Sequence, residues 1–316
     1  MTACVVCGTQ FRMLCFHNAG SAESVYTGKG MRVKEDNPFV VHCRENGGEL
    51  LACELPGREQ RRHEPRSRTL RPYCEALFPV LAPLLQEDSV PYVLIGHSMG
   101  TWMSYEWMCL LAERGIPLPK LWIVSGFPAP SIPDKDRPWN RNEPMADPAF
   151  MEECRGWNVN ESTRARAART LAPPPHPLAL WHALPPRRPS VLPRVPGARG
   201  AVVFQPPNWQ NFSGMMRDDF TLFDSFVYMP PPPHIAKGEF PVPIKAKYAE
   251  KDGRCKKHHL EMWKAFTSEK LKFTAELTPG NHLFFYDVPA RATWMHSVLK
   301  DLPDGFGEKP APTDLS

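Results

Sequence analysis

One short stretch of the sequence, GHSMG at residues 96–100, has the residue types to hold a reactive serine on a sharp turn. It fits the pattern G-x-S-x-G, in which the serine stands between a strand and a helix. The apolar run PYVLI precedes it and the amphipathic stretch MSYEWMCLLAERG follows it. Such a turn strains the serine backbone and crowds its neighbours, which requires glycine at both flanks. The pattern predicts that Ser98 is a nucleophile; the alternative is a serine that only caps the helix.

A serine hydroxyl becomes nucleophilic at neutral pH beside a general base, and an acid must fix the tautomer of that base. Where this motif occurs, the chain order is serine, acid, histidine. His282 lies in a Pro-Gly turn after the last predicted strand, and Asp252 follows the strand before it. We therefore predict His282 as base and Asp252 as acid. Asp134 and Asp136 remain an alternative source of the acid, and His97 is expected to pack beneath the turn.

The elements that must position these residues alternate along the chain, which indicates an α/β fold with a parallel sheet covered on both faces. Functional loops in such a sheet lie at the carboxyl ends of the strands. The segment TLRPYCEALFPVLAPLL reads as a helix interrupted by its prolines. Apolar runs predict strands at 11–16, 49–55, 91–96, 120–126, 242–250 and 271–277, and amphipathic runs predict helices at 69–85, 103–115, 257–266 and 288–302.

Residues from about 130 to 240 break this alternation, and we expect them to form a lid inserted over the carboxyl edge of a single domain spanning 1–316. Within this insertion, residues 162–201 are rich in proline and arginine and have too few periodic apolar residues for a core, so we expect disorder there. The last residues, 304–316, are expected to form a flexible tail.

Composition narrows the class of protein. The 38 basic and 34 acidic residues give a net charge of +4, but residues 162–200 contain seven arginines and no acid. The rest of the chain is slightly acidic, so nucleic-acid binding gains no support. No apolar run is long enough to span a bilayer and the first residues lack secretory features, which favours a cytoplasmic protein with organelle targeting left open. Nine scattered cysteines favour reduced thiols, although Cys4 and Cys7 are a candidate metal or redox pair.

With these residues assembled, the chain resembles the type II thioesterases, the stand-alone enzymes of fatty-acid, polyketide and nonribosomal peptide synthesis that include medium-chain fatty-acyl thioesterases. Seven ordered motifs between residues 11 and 290 carry the resemblance: LCFHNAGSAES, ELPGREQR, GHSMG, LWIVSGFPAP, MMRDDFTLFDSFVY, VPIKAKYAEKD and PGNHLFF. The resemblance implies an α/β-hydrolase fold and the same triad of Ser98, His282 and Asp252.

The resemblance also implies an oxyanion hole built from the backbone N–H of Met99 and one N–H from Asn18 or Ala19. Three positions depart from the family motifs. His17 replaces a proline and Ser21 a glycine in the first motif, which leaves the second oxyanion donor open. Asn281 replaces a glycine before the histidine, where asparagine can adopt the same left-handed conformation. Residues 162–201 match no family element, which favours a lineage-specific loop or translation of a retained intron.

The implied reaction is hydrolysis of an acyl thioester on the phosphopantetheine arm of an acyl carrier protein, or of acyl-CoA, with no metal or cofactor. The alternatives are a carboxylesterase or lipase acting on oxygen esters, and a protein that binds acyl carriers without catalysis. Apolar side chains of the expected lid either shape an acyl pocket or only pack the lid on the core: Trp209, Phe212, Met215, Met216, Phe220, Phe223 and Tyr228.

Overall fold

A computed structural model describes residues 8–28, 37–87, 89–159 and 202–308 and shows a sheet of six parallel strands. The strand order is β2-β1-β3-β4-β5-β6, so β3 and β4 lie at the centre. The predicted disordered segment 162–201 and the cysteine pair lie outside the described residues. The strands are β1 (Phe11–Phe16), β2 (Gly48–Cys53), β3 (Tyr92–His97), β4 (Leu121–Ser125), β5 (Ile244–Ala249) and β6 (Thr274–Thr278).

Helices connect the strands and cover both faces of the sheet. The predicted helix 257–266 begins as α-helix and ends in a 3-10 segment, Met262–Phe266. Two helices near the N-terminus had no counterpart in the sequence prediction. The helices are α1 (Ser24–Thr27), α2 (Pro38–Glu45), α3 (Leu70–Leu85), α4 (Met99–Glu113), α5 (Asp147–Gly156), α6 (Asn208–Asp224), α7 (Lys257–Glu261) and α8 (Val288–Asp301).

The prolines of α3 do not interrupt it, contrary to the expectation from the sequence. Pro79 and Pro83 lie inside the helix, one turn apart, on its exposed side. Each proline removes one N–H donor and frees the carbonyl four residues earlier. On the exposed side water can solvate that carbonyl, while Leu81, Ala82 and Leu85 remain buried on the other side. The packed face therefore keeps the helix continuous.

Alternating side chains of the central strands build two apolar cores, one on each face of the sheet. In β1, Leu14 and Phe16 enter the first core, whereas Met13 and Cys15 enter the second. This period of two is the strand geometry itself. The first core also holds α3, α4 and α6, and the second holds α2 and α8. Because both faces are covered at the centre of the sheet, β3 and β4 are fully buried and form nearly continuous apolar runs in the sequence.

The described parts of the chain between β4 and β5 include α5 and α6, within the expected lid. Helix α6 is amphipathic, with its buried side against the first core. Residues of α6 line a cavity together with Ser98 and His282, so this helix covers part of the carboxyl edge of the sheet. In the described part of the chain, no helix combines the length and apolar character that crossing a membrane requires.

The tail differs from the sequence expectation where the structure describes it. Phe306 is buried, and its ring lies 5.3 Å from that of Phe11. Its carbonyl accepts a hydrogen bond from His42 Nε2 at 2.6 Å, and the N–H of Glu308 donates to Asn46 Oδ1. One aromatic residue thus fixes residues that composition alone marks as a tail; residues 309–316 lie outside the described residues.

Gly100, beside the turn at residue 98, and Gly214, in another helix, give a test of packing at this turn and its matched control. Helix propensity favours alanine over glycine by about 1 kcal/mol at both sites. A β-carbon at Gly100 in α4 would overlap the Phe16 carbonyl oxygen, whereas one at Gly214 in α6 would lie 3.3 Å from the flexible end of Arg66. We expect Gly100→Ala to lower the free energy of unfolding by about 2 kcal/mol.

Under the same conditions, Gly214→Ala is expected to leave the free energy of unfolding unchanged or to raise it slightly. Urea unfolding followed by tryptophan fluorescence measures both variants. Equal effects of the two substitutions would contradict the close approach of α4 to β1.

Candidate active site

Ser98 lies on a strained turn between β3 and α4. Its backbone has φ 54° and ψ −130°, in the region of positive φ that non-glycine residues rarely adopt. A β-carbon at Gly96 would approach the Gly100 carbonyl oxygen to 2.6 Å, and one at Gly100 would overlap the Phe16 carbonyl oxygen, which explains both glycines of the motif. The N–H of Ser98 donates to the Ser125 carbonyl at 2.8 Å, so the end of β4 holds the strained residue in place.

A continuous hydrogen-bonded relay joins Ser98, His282 and Asp252. Ser98 Oγ lies 2.8 Å from His282 Nε2, and His282 Nδ1 lies 2.7 Å from Asp252 Oδ2. All three side chains are buried. An ionised carboxylate only accepts hydrogen bonds, so Nδ1 donates its proton to Asp252 and Nε2 accepts from the serine hydroxyl. The imidazole is therefore in the tautomer that can take a proton from Ser98.

The environment of Asp252 keeps it ionised. Burial alone would raise the pKa of its carboxyl group, but interaction with His282 and hydrogen bonds from two backbone N–H groups together outweigh burial. Oδ1 also accepts from the backbone N–H groups of Arg254 and Cys255 at 2.8 and 2.9 Å. The net result is a pKa below the usual value for aspartate.

His97 lies beneath the turn and supports the histidine loop. Since a carbonyl can only accept, Nε2 of His97 donates to the His282 carbonyl at 2.9 Å, and Nδ1 accepts from Ser125 Oγ at 3.0 Å. Ser125 Oγ in turn accepts from Trp294 Nε1 at 3.1 Å. Burial, with a smaller contribution from the neighbouring His282, lowers the pKa of His97 to about 3. This neutral histidine fixes the backbone of His282.

The two alternative acids do not join the relay. Asp134 is exposed and pairs with Arg137 and Arg141. Asp136 is exposed on the same 3-10 turn. The structure thus brings Asp252, and neither of the earlier aspartates, to His282.

The predicted oxyanion donors lie beside Ser98. Met99 is the first residue of α4, and such N–H groups have no partner within their helix. Residues 18–21 form a turn in which the N–H of Ser21 donates to the Asn18 carbonyl at 3.3 Å. The N–H of Gly20 donates to Asp219. Within this turn, the N–H groups of Asn18 and Ala19 therefore remain as candidates, and both residues line the cavity that contains Ser98.

The departures from the family motifs have local explanations. His17 is buried, and its Nδ1 donates to the Asn18 carbonyl at 2.8 Å; burial lowers its pKa to about 4. Ser21 Oγ shares a hydrogen bond of 2.6 Å with the Tyr286 hydroxyl. Asn281 does not take the left-handed conformation, since Gly280 has the positive φ of 94°. Instead Asn281 Oδ1 accepts from the N–H of Leu283 at 2.9 Å.

An apolar cavity of about 360 Å³ opens onto Ser98 and His282. The expected lid residues divide between the two interpretations left open by the sequence. Trp209 packs on Phe150 and Phe204, which also belong to the insertion, so it joins parts of the insertion to one another. Tyr228 lies against Tyr105 of α4 and packs the insertion on the core. The other five line the cavity: Phe212, Met215, Met216, Phe220 and Phe223.

One group of described residues has ligand atoms close enough together to hold a metal: Asp252, Cys255 and His282. The chemistry of these three side chains fits the hydrogen-bonded relay better than a metal site. The Asp252 carboxylate and His282 Nδ1 are already hydrogen-bonded to each other. Burial raises the pKa of the Cys255 thiol well above its usual value, which disfavours the thiolate that a metal needs.

Three polar residues at the site had no role in the sequence prediction. Asn158, with φ 62°, accepts the His282 N–H through Oδ1 at 3.3 Å. Arg58 and Asp219 form a buried ion pair beside the turn at residues 18–21. Both members of this pair stand in motifs that carried the resemblance, ELPGREQR and MMRDDFTLFDSFVY, which is the available signal for them.

Solved structures of thioesterases share this architecture. The thioesterase RedJ from the prodiginine pathway of Streptomyces coelicolor superposes with a TM-score of 0.65 at 22% identity, covering 93% of this chain and 87% of RedJ. YbtT, a type II thioesterase from the yersiniabactin pathway, gives a TM-score of 0.62 at 18% identity over 96% of both chains. At these identities, the similarity shows the α/β-hydrolase fold.

Sequence comparison identifies the family. The gramicidin S biosynthesis protein GrsT of Aneurinibacillus migulanus is 25% identical over 239 residues, covering 76% of this chain and 73% of GrsT. The human medium-chain S-acyl fatty acid synthase thioesterase is 30% identical over 131 residues, covering 42% of this chain and 43% of that enzyme. The thioesterase domain model matches residues 11–171, just over half of the chain. The chain therefore belongs to the thioesterase domain family and is a thioester hydrolase with the α/β-hydrolase fold.

Proposed function

We propose that this hydrolase releases acyl groups from the phosphopantetheine arm of an acyl carrier protein, or from coenzyme A. Ser98 is the nucleophile, His282 the general base and Asp252 the residue that orients it. The observation that carries the proposal is the unbroken relay Ser98–His282–Asp252 at the mouth of an apolar cavity. The described part of the segment between β4 and β5, α6 above all, supplies one wall of that cavity and acts as the lid.

The geometry supports a first step in which the acyl group moves to the enzyme. Ser98 Oγ bonds to the thioester carbonyl carbon as its proton passes to His282 Nε2, and the carbonyl electrons move onto oxygen. The N–H of Met99 and one N–H from Asn18 or Ala19 stabilise this oxyanion, aided by the positive end of α4. The C–S bond then breaks, and the sulfur leaves with the proton held by His282.

Water completes the reaction through the same groups. His282 Nε2 takes a proton from a water molecule whose oxygen attacks the acyl-serine carbonyl. The second oxyanion collapses, the bond to Ser98 Oγ breaks, and His282 returns the proton to the serine. A thiol with a pKa of about 8.5 leaves more readily than an alcohol, so acylation needs less acid assistance with a thioester than with an oxygen ester.

Two features support acyl chains on pantetheine carriers as substrates. The cavity walls near Ser98 are apolar, with aromatic and methionine side chains from α6, as an acyl chain requires. The relatives include a gramicidin S biosynthesis protein and a fatty acid synthase thioesterase, whose names place them beside enzymes of acyl and peptidyl assembly.

A panel of matched thioesters and oxygen esters tests the activity. We expect hydrolysis of acyl-carrier and acyl-CoA thioesters, and a fall in kcat of about 10⁴-fold or more in Ser98→Ala because the nucleophile is lost. Thiol release, followed with a colorimetric thiol reagent, measures both. Faster turnover of the oxygen esters would indicate a carboxylesterase. Carrier binding without hydrolysis by the native chain would indicate a binding protein, and either result would contradict the proposal.

Asp252→Asn is expected to lower kcat by about 10³- to 10⁴-fold, because the new amide group donates to His282 Nδ1 and imposes the wrong tautomer. The remaining side-chain oxygen of this variant can still accept from the N–H groups of Arg254 and Cys255, so the loop keeps its fold.

Asp134→Asn is the matched control, since Asp134 is exposed and outside the relay. We expect its kcat to stay within about twofold of the native value, as is usual for exposed residues remote from the chemistry. Steady-state hydrolysis of the best thioester of the panel compares the two variants. Comparable losses in both would mean that Asp252 is not the orienting acid.

A further inference from the structure

A carboxylate of α6 reaches the turn that contains the second oxyanion donor. Asp219 is buried, and its Oδ2 accepts from the N–H of Gly20 at 2.8 Å, although 199 residues separate the two in the chain. The same carboxylate forms a bidentate pair with Arg58 at 2.6 and 2.8 Å. Arg58 Nη1 also donates to the Ser21 carbonyl at 2.8 Å. Asp219 thus holds the Ala19–Gly20 peptide through its N–H, and Arg58 holds the Ser21–Ala22 peptide through its carbonyl.

The conformation of this turn determines where its N–H groups point. Gly20 is its third residue and has φ 71°, as in turns of type II. Turn types I and II differ mainly by a rotation of the central peptide, here the one between Ala19 and Gly20. Glycine permits either arrangement at low cost. The hydrogen bond to Asp219 holds the N–H of that peptide in one direction and so fixes ψ of Ala19. The Ala19 N–H itself lies in the Asn18–Ala19 peptide, whose carbonyl accepts the hydrogen bond from the Ser21 N–H that closes the turn.

The acceptor of this hydrogen bond belongs to a buried ion pair. Burial opposes the charge of Arg58, but Asp219, with smaller contributions from Tyr73 and Glu54, outweighs burial and raises the pKa of the guanidinium. Hydrogen bonds to an ionised carboxylate are stronger and shorter than those to a neutral acceptor. The N–H of Gly20 is therefore held by a charged oxygen whose own position is fixed by two contacts with Arg58.

We propose that Asp219 is a positioning residue for the oxyanion hole, which forms correctly only while α6 is docked on the turn. This inference rests on the proposed hydrolysis of thioesters by Ser98. It links two parts of the site, because α6 also supplies Phe212, Met216 and other walls of the acyl cavity. The helix that receives the acyl chain thereby also orders the group that stabilises the transition state.

The neighbouring residue provides a matched control. Asp218 lies on the same helix and pairs with Arg66 and Arg68, so it also ties α6 to the segment before α3, but these partners lie outside the turn. We expect Asp219→Asn to lower kcat by about 10- to 100-fold with KM within about twofold, since misplacing an oxyanion donor acts in the transition state. Asp218→Asn should change neither constant by more than about twofold.

Two inhibitors of equal chain length separate the oxyanion hole from the pocket. An alkylthio trifluoromethyl ketone accepts Ser98 Oγ at its carbonyl carbon and becomes an oxyanion, whereas the methyl ketone analogue binds without forming the adduct. Asp219→Asn should weaken the trifluoromethyl ketone by the same factor as kcat/KM and the methyl ketone by less than about twofold. Asp219→Glu, which keeps the charge but moves it, should show the same pattern with Tm closer to the native value.

The possible outcomes separate the oxyanion hole, the pocket and stability. Equal weakening of the binding of both inhibitors would mean that Asp219 supports the pocket in general. Unchanged kcat and KM in Asp219→Asn would mean that the turn keeps its conformation without the carboxylate. Either result would overturn the inference. Failure of both Asp219 variants to fold would assign the residue to stability and overturn it as well. A native chain that neither hydrolyses thioesters nor forms the trifluoromethyl ketone adduct would instead defeat the proposed function.

Discussion

The strained backbone of Ser98 is the constraint on which the rest of the site depends. A positive φ at a residue with a side chain costs about 1–3 kcal/mol and persists only where the surrounding structure enforces it. Here β3 pairs with β4 up to the level of His97 and Ser125, and the Ser125 carbonyl accepts the N–H of Ser98. Helix α4 starts at the next residue and packs closely on the end of β1. The centre of the sheet thus provides the packing energy that holds the serine in a reactive position.

Buried charge around this turn is arranged so that each group has a specific partner. Asp252 faces His282, and Arg58 faces Asp219, with backbone N–H groups completing both carboxylates. A buried ion without a partner costs several kcal/mol, so such pairs fix their elements relative to one another more than they add stability. One pair joins the loops after β5 and β6, and the other joins α6 to the segment after β2. Together they assemble the site from four connections that are distant in sequence.

The sequence predicted the parts of the site that local patterns encode. The strand, turn and helix around Ser98 are visible in the sequence because apolar runs and glycine spacing are local patterns. The six strands were predicted from apolar runs of the same kind. Asp252 and His282 could be placed because both follow strands, and the ends of parallel strands meet at one edge. The continuity of α3 and the burial of Phe306 could not be predicted in this way, since each depends on packing against residues that are distant in the sequence. The role of Asn281 likewise depends on its neighbour Gly280, which takes the left-handed conformation in its place.

The support of the proposed second oxyanion donor could not be predicted from the sequence, and the physical reason also concerns function. Ser98, His282 and Asp252 extend from the ends of strands, whose positions the sheet fixes before any ligand binds. The proposed second oxyanion donor belongs to a glycine-containing turn that follows β1, and this turn is held by a carboxylate 199 residues away from Gly20. Contacts of this kind leave no periodic signal in the sequence. The proposed nucleophile and base are therefore fixed by the core fold, whereas the proposed oxyanion hole depends on how the inserted helix α6 docks.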